Sequence, residues 1–131
     1  MNMIIIDFRS RKPIYEQIID AIKEQVITGM LKPDEQIASI RQLTANLGIN
    51  PNTIQKAYAE LERQGIIYNL VGRGTFVTPD IDKIINEKRD EILVHIKSAF
   101  ENAKSINIEK ENIETILNDV YSEKQNQKGV N

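Results

Sequence analysis

The stretch from Ser39 to Gly65, SIRQLTANLGINPNTIQKAYAELERQG, leaves few folds open to this chain. It spells two short amphipathic helices with only Gly48-Ile49-Asn50 between them. Ser39 suits an N-cap, because its hydroxyl can accept an N–H bond from the opening turn. Ile40, Leu43 and Leu47 recur at helical spacing, and Gly48 supplies the left-handed residue that ends a helix. Ile49 is an apolar residue suited to packing in the turn. Asn50 is a second N-cap, followed by Pro51 at a first helical position, where a missing N–H does no harm. The second helix presents Ile54, Ala57, Tyr58 and Leu61 on one face and stops at Gly65. Two helices joined by so short a turn form a helix-turn-helix.

The polar residues of the second helix gather at its start: Asn50, Asn52, Thr53, Gln55 and Lys56. Asn and Gln side chains can offer a donor and an acceptor together, which matches the adenine edge in a major groove. Thr and the free N–H groups of a helix start suit phosphate oxygens. The same residues would also serve as a solvated face with a capping Asn. After Gly65, Ile66 to Leu70 and Thr75 to Thr78 read as two strands around Gly72-Arg73-Gly74, a hairpin. A hairpin that follows such a helix is a wing. Its tip holds an arginine between two glycines, well placed for a phosphate or a minor groove.

From Ile14 to Val77 the chain resembles the winged helix-turn-helix domain of the GntR family of bacterial transcription regulators. The resemblance is carried by IYEQIIDAIKEQVITGMLKPDEQIASIRQLTANLGIN, by NPNTIQKAYAELERQGII and by GRGTFV. The NPNT, KAY and ELE wording is similar to the small YtrA-type branch in particular. Two positions depart from the family's pattern: Asp34 stands where Gly is usual, and Ala38 where Pro is usual. Both fall in the turn that leads into the second helix. Many members carry Arg where Pro51 and Gln55 stand, which implies a different, more A·T-leaning operator. The resemblance implies DNA contacts at Arg41, Asn50, Pro51, Asn52, Thr53, Gln55, Gly72 and Arg73. Lys56 and Arg11 are candidates for phosphate contact by their local charge. It implies a repressor that binds an inverted repeat as a homodimer, and relatives of this branch often control neighbouring transporter operons.

The rest of the chain is read in this light. Pro13 fits the first position of a helix whose stripe is Ile14, Ile18, Ala21, Ile22, Gln25 and Val26, ended by Gly29. Arg9, Arg11 and Lys12 precede it, and the apolar, β-prone Met3 to Phe8 can pack on the domain or on a partner. Gln36-Ile37 is expected to pair with the wing as a short third strand. Beyond Pro79, Asp80 or Asp82 can cap a long helix to about Lys104, with Ile81, Ile84, Ile85, Ile92, Ile96, Ala99, Phe100 and Ala103 on its stripe. Ser105-Ile106-Asn107 breaks it. A last helix, about Glu109 to Glu123, carries Ile113, Ile116, Leu117, Val120 and Tyr121, and the polar tail from Lys124 is expected to fray.

The expected architecture is mainly α (α+β). A winged helix-turn-helix DNA-binding domain occupies 1–79 and a two-helix dimerisation tail 80–131, within the 131 residues. Two amphipathic helices cannot bury their stripes alone; the winged domain is one cover open to them, and a second copy is the better reading, because two-fold oligomers dominate. Ile85, Ile92, Ile96, Phe100, Ile113, Leu117 and Val120 are the expected seam.

Charge alone does not point to nucleic acid. The formal net charge is −2, with +1 over residues 1–79 and −3 over residues 80–131. That near-neutrality leaves room for another class, a winged-helix protein-interaction module without specific DNA binding. There is no cysteine, so disulfides and thiolate metal sites are excluded, and no run reaches the roughly 18 apolar residues of a membrane span. The expected location is the cytoplasm. No phosphate-binding glycine loop, nucleophile elbow or metal spacing occurs, and the one histidine, His95, sits among charged residues on a helix face. No enzyme, cofactor or metal is expected, and any small-molecule effector is left open.

Overall fold

The computed structural model describes the backbone of residues 4–130 and the side chains of residues 4–123. The chain divides into two units, one running through Glu87 and the other starting at Lys88.

In the first unit, helix α1 (Ile14–Ile27) buries Ile18, Ile22 and Val26 completely. Ile19 is buried as well, so the stripe is broader than the expected one. Pro13 is not the first helical residue. Its ψ of 147° is extended, and it acts as the N-cap, its carbonyl accepting the Gln17 N–H at 3.1 Å. The connector after Gly29 buries Leu31 and reaches strand β1 (Gln36–Ile37) through Asp34, whose φ is 62°. Glycine tolerates that left-handed conformation best, and an L-residue gives up about 1 kcal/mol there. Asp34 keeps the turn, and its carboxylate accepts the Tyr68 hydroxyl at 2.6 Å.

Helix α2 (Ile40–Leu47) opens with a reciprocal cap. Ser39 Oγ accepts the Gln42 N–H at 3.0 Å, and Gln42 Oε1 accepts the Ser39 N–H at 2.8 Å. Gly48, at φ 64°, ends the helix, and Ile49 points into the core. Helix α3 (Pro51–Arg63) starts from Asn50, whose Oδ1 accepts the Asn52 N–H at 2.9 Å. It buries Ile54, Ala57, Tyr58 and Leu61 and packs on both α1 and α2. Gly65 lets α3 stop with two bonds, Ile66 N–H to the Leu61 carbonyl and Gly65 N–H to the Glu62 carbonyl.

Strands β2 (Ile67–Leu70) and β3 (Gly74–Val77) form the hairpin, and β1 pairs on the other side of β3. The sheet is antiparallel in the order β1-β3-β2, with Gln36 and Tyr68 both opposite Phe76. The Tyr68 and Phe76 rings stack at 5.6 Å. Helix α4 (Ile81–Ser105) begins in this unit, where Ile84 is buried and Ile81 packs on the core. Asp80 caps it by accepting the Lys83 N–H at 3.4 Å. The β-prone start forms no strand over residues 4–8; Ile4 is buried and Ile6 packs beside it, while Met3 lies outside the described residues.

The second unit holds the remainder of α4 and helix α5 (Lys110–Val130). They are joined at Asn107, φ 64°, with Ile108 N–H to the Ala103 carbonyl and Asn107 N–H to the Lys104 carbonyl. Helix α5 outlasts the expected end at Glu123, because Lys, Gln and Asn from Lys124 onward include no helix breaker before Gly129. The side chains of that tail lie outside the described residues. Between Lys88 and Glu123 only Ala103 and Ile113 are even half-buried. No helix among the described residues is long and apolar enough to cross a membrane.

Tyr58 links α3 to the segment between β1 and α2: its hydroxyl donates to the Ala38 carbonyl at 2.6 Å, and the residue is 5% exposed. Burial also raises the Tyr58 pKa. Tyr58→Phe should leave that carbonyl short of a partner and lower unfolding stability by about 1 kcal/mol, read as a shift in the urea midpoint at unchanged slope.

Candidate nucleic-acid interface

Two surfaces of the first unit carry basic side chains, and their electrostatics differ. One is the groove between α1 and α3, lined by Lys12, Lys23, Lys56 and Arg63 together with Glu16, Asp20 and Glu60. Three of its four cations, Lys12, Arg63 and Lys56, have partners. Lys12 is ion-paired with Asp20, which raises the Lys12 pKa through their hydrogen bond. Arg63 forks onto Glu60 and, with Gln64, holds that carboxylate down at about 2. The Lys56 ammonium lies 3.9 Å from the centre of the Tyr15 ring, an attraction of the cation to the ring face.

The other surface is a cleft between the start of α2 and the wing, lined by Ser39, Arg41, Gln42 and residues 69–74. Arg41 stands in the first turn of α2, and Arg73 on the wing turn between Gly72, φ 77°, and Gly74, φ 125°. Both guanidinium groups are exposed, and among the described residues neither meets a carboxylate. Arg41 and Arg73, 32 positions apart in sequence, thus share one cleft. Ser39 is also there; its Oγ accepts the capping Gln42 N–H.

The start of α3 offers a third group of side chains. Asn50, Pro51, Asn52 and Gln55 are exposed and Thr53 is half-buried. One acceptor site of Asn50 is taken by its own cap, so Asn52 and Gln55 are the amides with both donor and acceptor open. Arg11 is exposed on the turn before α1 and lines neither surface. Lys56 is in the α1–α3 groove and not in the cleft.

What the sequence did not announce is pairing at a distance. Tyr15 beneath Lys56 and Asp20 on Lys12 depend on side-chain reach, which no local pattern encodes. A further groove, lined by Ile4, Ile6, Phe8, Ile37, Leu43 and Leu47 among others, contains no charged residue and is no place for a phosphate. No group of acidic, histidine or cysteine side chains able to hold a metal ion occurs among the described residues.

This arrangement has relatives. The family described as bacterial regulatory proteins, gntR family, matches residues 14–77. The HTH-type transcriptional repressor YtrA of Bacillus subtilis (strain 168) is 38% identical over 122 residues, 92% of this chain and 94% of that protein. The crystal structure of a transcriptional regulator from Oenococcus oeni is 32% identical with a TM-score of 0.76, covering 88% of this chain and 97% of its own. The AraR DNA-binding domain, solved in complex with an operator, is 29% identical with a TM-score of 0.53 and covers 60% of this chain and 100% of its own. A chain with this wing, this three-residue turn and this extent of likeness is a DNA-binding transcription regulator and not an enzyme; it belongs to the GntR family, in its YtrA-type branch.

Proposed function

We propose that the protein is a cytoplasmic repressor that binds an inverted-repeat operator as a homodimer. In this reading Arg41 and Arg73 grip phosphates or a minor groove from the cleft, and Asn50, Pro51, Asn52, Thr53 and Gln55 meet the major groove. Gly72 lets the wing backbone approach closely. Arg11 and Lys56 contact phosphates at the margins. Residues 1–79 supply the DNA contacts and residues 80–131 the pairing. The sign of control is supported by the relative that is named a repressor, and a neighbouring transporter operon is the target to examine first.

The observation that carries the homodimer is the uncovered apolar face of the second unit. Ile92 is 46% exposed, Phe100 47%, Leu117 50% and Val120 55%. Helices with so much apolar surface in water need a cover. Ile85, Ile96 and Ile113 complete the seam. Joining two winged units turns the second half-site encounter into an intramolecular event, a gain on the order of 100-fold or more. Two-fold pairing also accounts for an inverted repeat, since operator symmetry mirrors protein symmetry.

Selection from a pool of random duplexes should return an inverted repeat; a set of unrelated sequences would remove the claim. Phe100→Ala should open a cavity at the seam worth about 3 kcal/mol or more. The variant is expected to sediment as a monomer at micromolar concentration and to lose operator binding while keeping its helical spectrum. Arg73→Ala should remain dimeric, bind more weakly and lower the salt slope of binding by about one. Asn50→Asp keeps an N-cap of equal quality but sets a negative charge toward the duplex. Its melting temperature should match the parent protein while its gel shift disappears.

A further inference from the structure

The wing turn is held from outside its own hairpin. Residues 70–73 close through the Arg73 N–H donating to the Leu70 carbonyl at 2.9 Å, and Gly72 and Gly74 both take positive φ. Such a turn retains much backbone freedom, because glycine populates more conformations than any other residue. One side chain restrains it. Gln36 on β1 stands opposite Phe76, and its side chain runs back along β3 past Thr75. There Nε2 donates to the Arg73 carbonyl at 3.0 Å.

Gly74 is fitted to this contact. A Cβ at that position would stand 2.5 Å from Gln36 Nε2, and the φ of 125° disfavours any L-residue as well. Gln36 itself is exposed, on a strand of two residues, and takes no part in the core. Folding therefore makes little use of its amide. The residue whose backbone it grips, Arg73, lines the cleft together with Arg41.

We propose that Gln36 is a positioning residue for DNA binding: its amide latches the Arg73 carbonyl and sets the wing turn so that the Arg73 guanidinium stays in the cleft. This rests on the role given above to Arg73 at the duplex. A turn ordered beforehand does not have to be ordered on binding, and a single net hydrogen bond corresponds to about a 3- to 10-fold change in affinity.

The test uses the full chain with Gln36→Leu, which keeps the bulk and removes the donor, alone and combined with Arg73→Ala. Arg73→Ala keeps the carbonyl, so it preserves the latch and removes only what the latch positions. On the duplex selected by the wild-type protein, Gln36→Leu should weaken binding about 3- to 10-fold when Arg73 is present and leave it unchanged in the Arg73→Ala background. Thermal stability should not move. In the DNA-free protein the Arg73 and Gly74 amides should exchange faster with solvent in Gln36→Leu. An equal loss of affinity in both backgrounds would mean that Gln36 acts elsewhere and would overturn the assignment, as would unchanged exchange at those two amides. If the wild-type protein selects no duplex, the DNA-contact reading of Arg73 fails and the positioning role with it. If the duplex binds and Arg73→Ala weakens it while Gln36→Leu does nothing, only the present inference falls.

Discussion

Helix α3 has to be buried on one side and bare on the other within thirteen residues, and the first unit is arranged to satisfy both. Ile54, Ala57 and Leu61 lose all their exposure, and α1 and α2 pack on the stripe they form. Tyr58 adds a polar bond beside this seam, its hydroxyl donating to the carbonyl of Ala38. With that face closed, Asn52 and Gln55 can only point outward. The caps at both ends set where the helix begins and stops, so the exposed amides lie in its first two turns. Packing on one side of α3 thereby selects which side chains stand exposed on the other.

Charge is distributed by pairing more than by number. The formal net charge of −2 hides the distinction between the α1–α3 groove and the wing cleft. In the groove Asp20 and Glu60 neutralise Lys12 and Arg63, so a phosphate there would compete with carboxylates already in place. In the cleft Arg41 and Arg73 have no such competitor among the described residues. Local potential, not total charge, steers an anion.

Much of the fold was legible because its signals are local. Ser39, Gly48, Asn50-Pro51 and Gly65 each act within four residues, and each ends or begins a helix where its chemistry says it should. The third strand at Gln36-Ile37 was also legible, since a wing leaves an edge for a neighbour. Ile19 escaped notice because burial depends on what lies opposite, and periodicity records only one face. The Lys56–Tyr15 contact and the Gln36–Arg73 bond span 41 and 37 positions and exist only once the chain has folded. Asp34 shows the reverse: a departure from the usual glycine keeps the same left-handed turn, because a distant tyrosine supports it. In the second unit the apolar stripe could also be read, and Ile92, Phe100, Leu117 and Val120 on it stand exposed.

The wing is tied at its base as well as at its tip. Ile66 N–H bonds the Leu61 carbonyl at the end of α3, and Thr78 N–H bonds the Ile66 carbonyl across the foot of the hairpin. Helix α3 and the foot of the wing are consequently joined by backbone hydrogen bonds. If both meet a duplex, as proposed above, the groove has to fit the spacing between them, and part of the elastic work falls on the nucleic acid. Base steps that never touch the protein would then be discriminated by how readily they deform, and a share of an operator's sequence would be written in stiffness instead of hydrogen bonds.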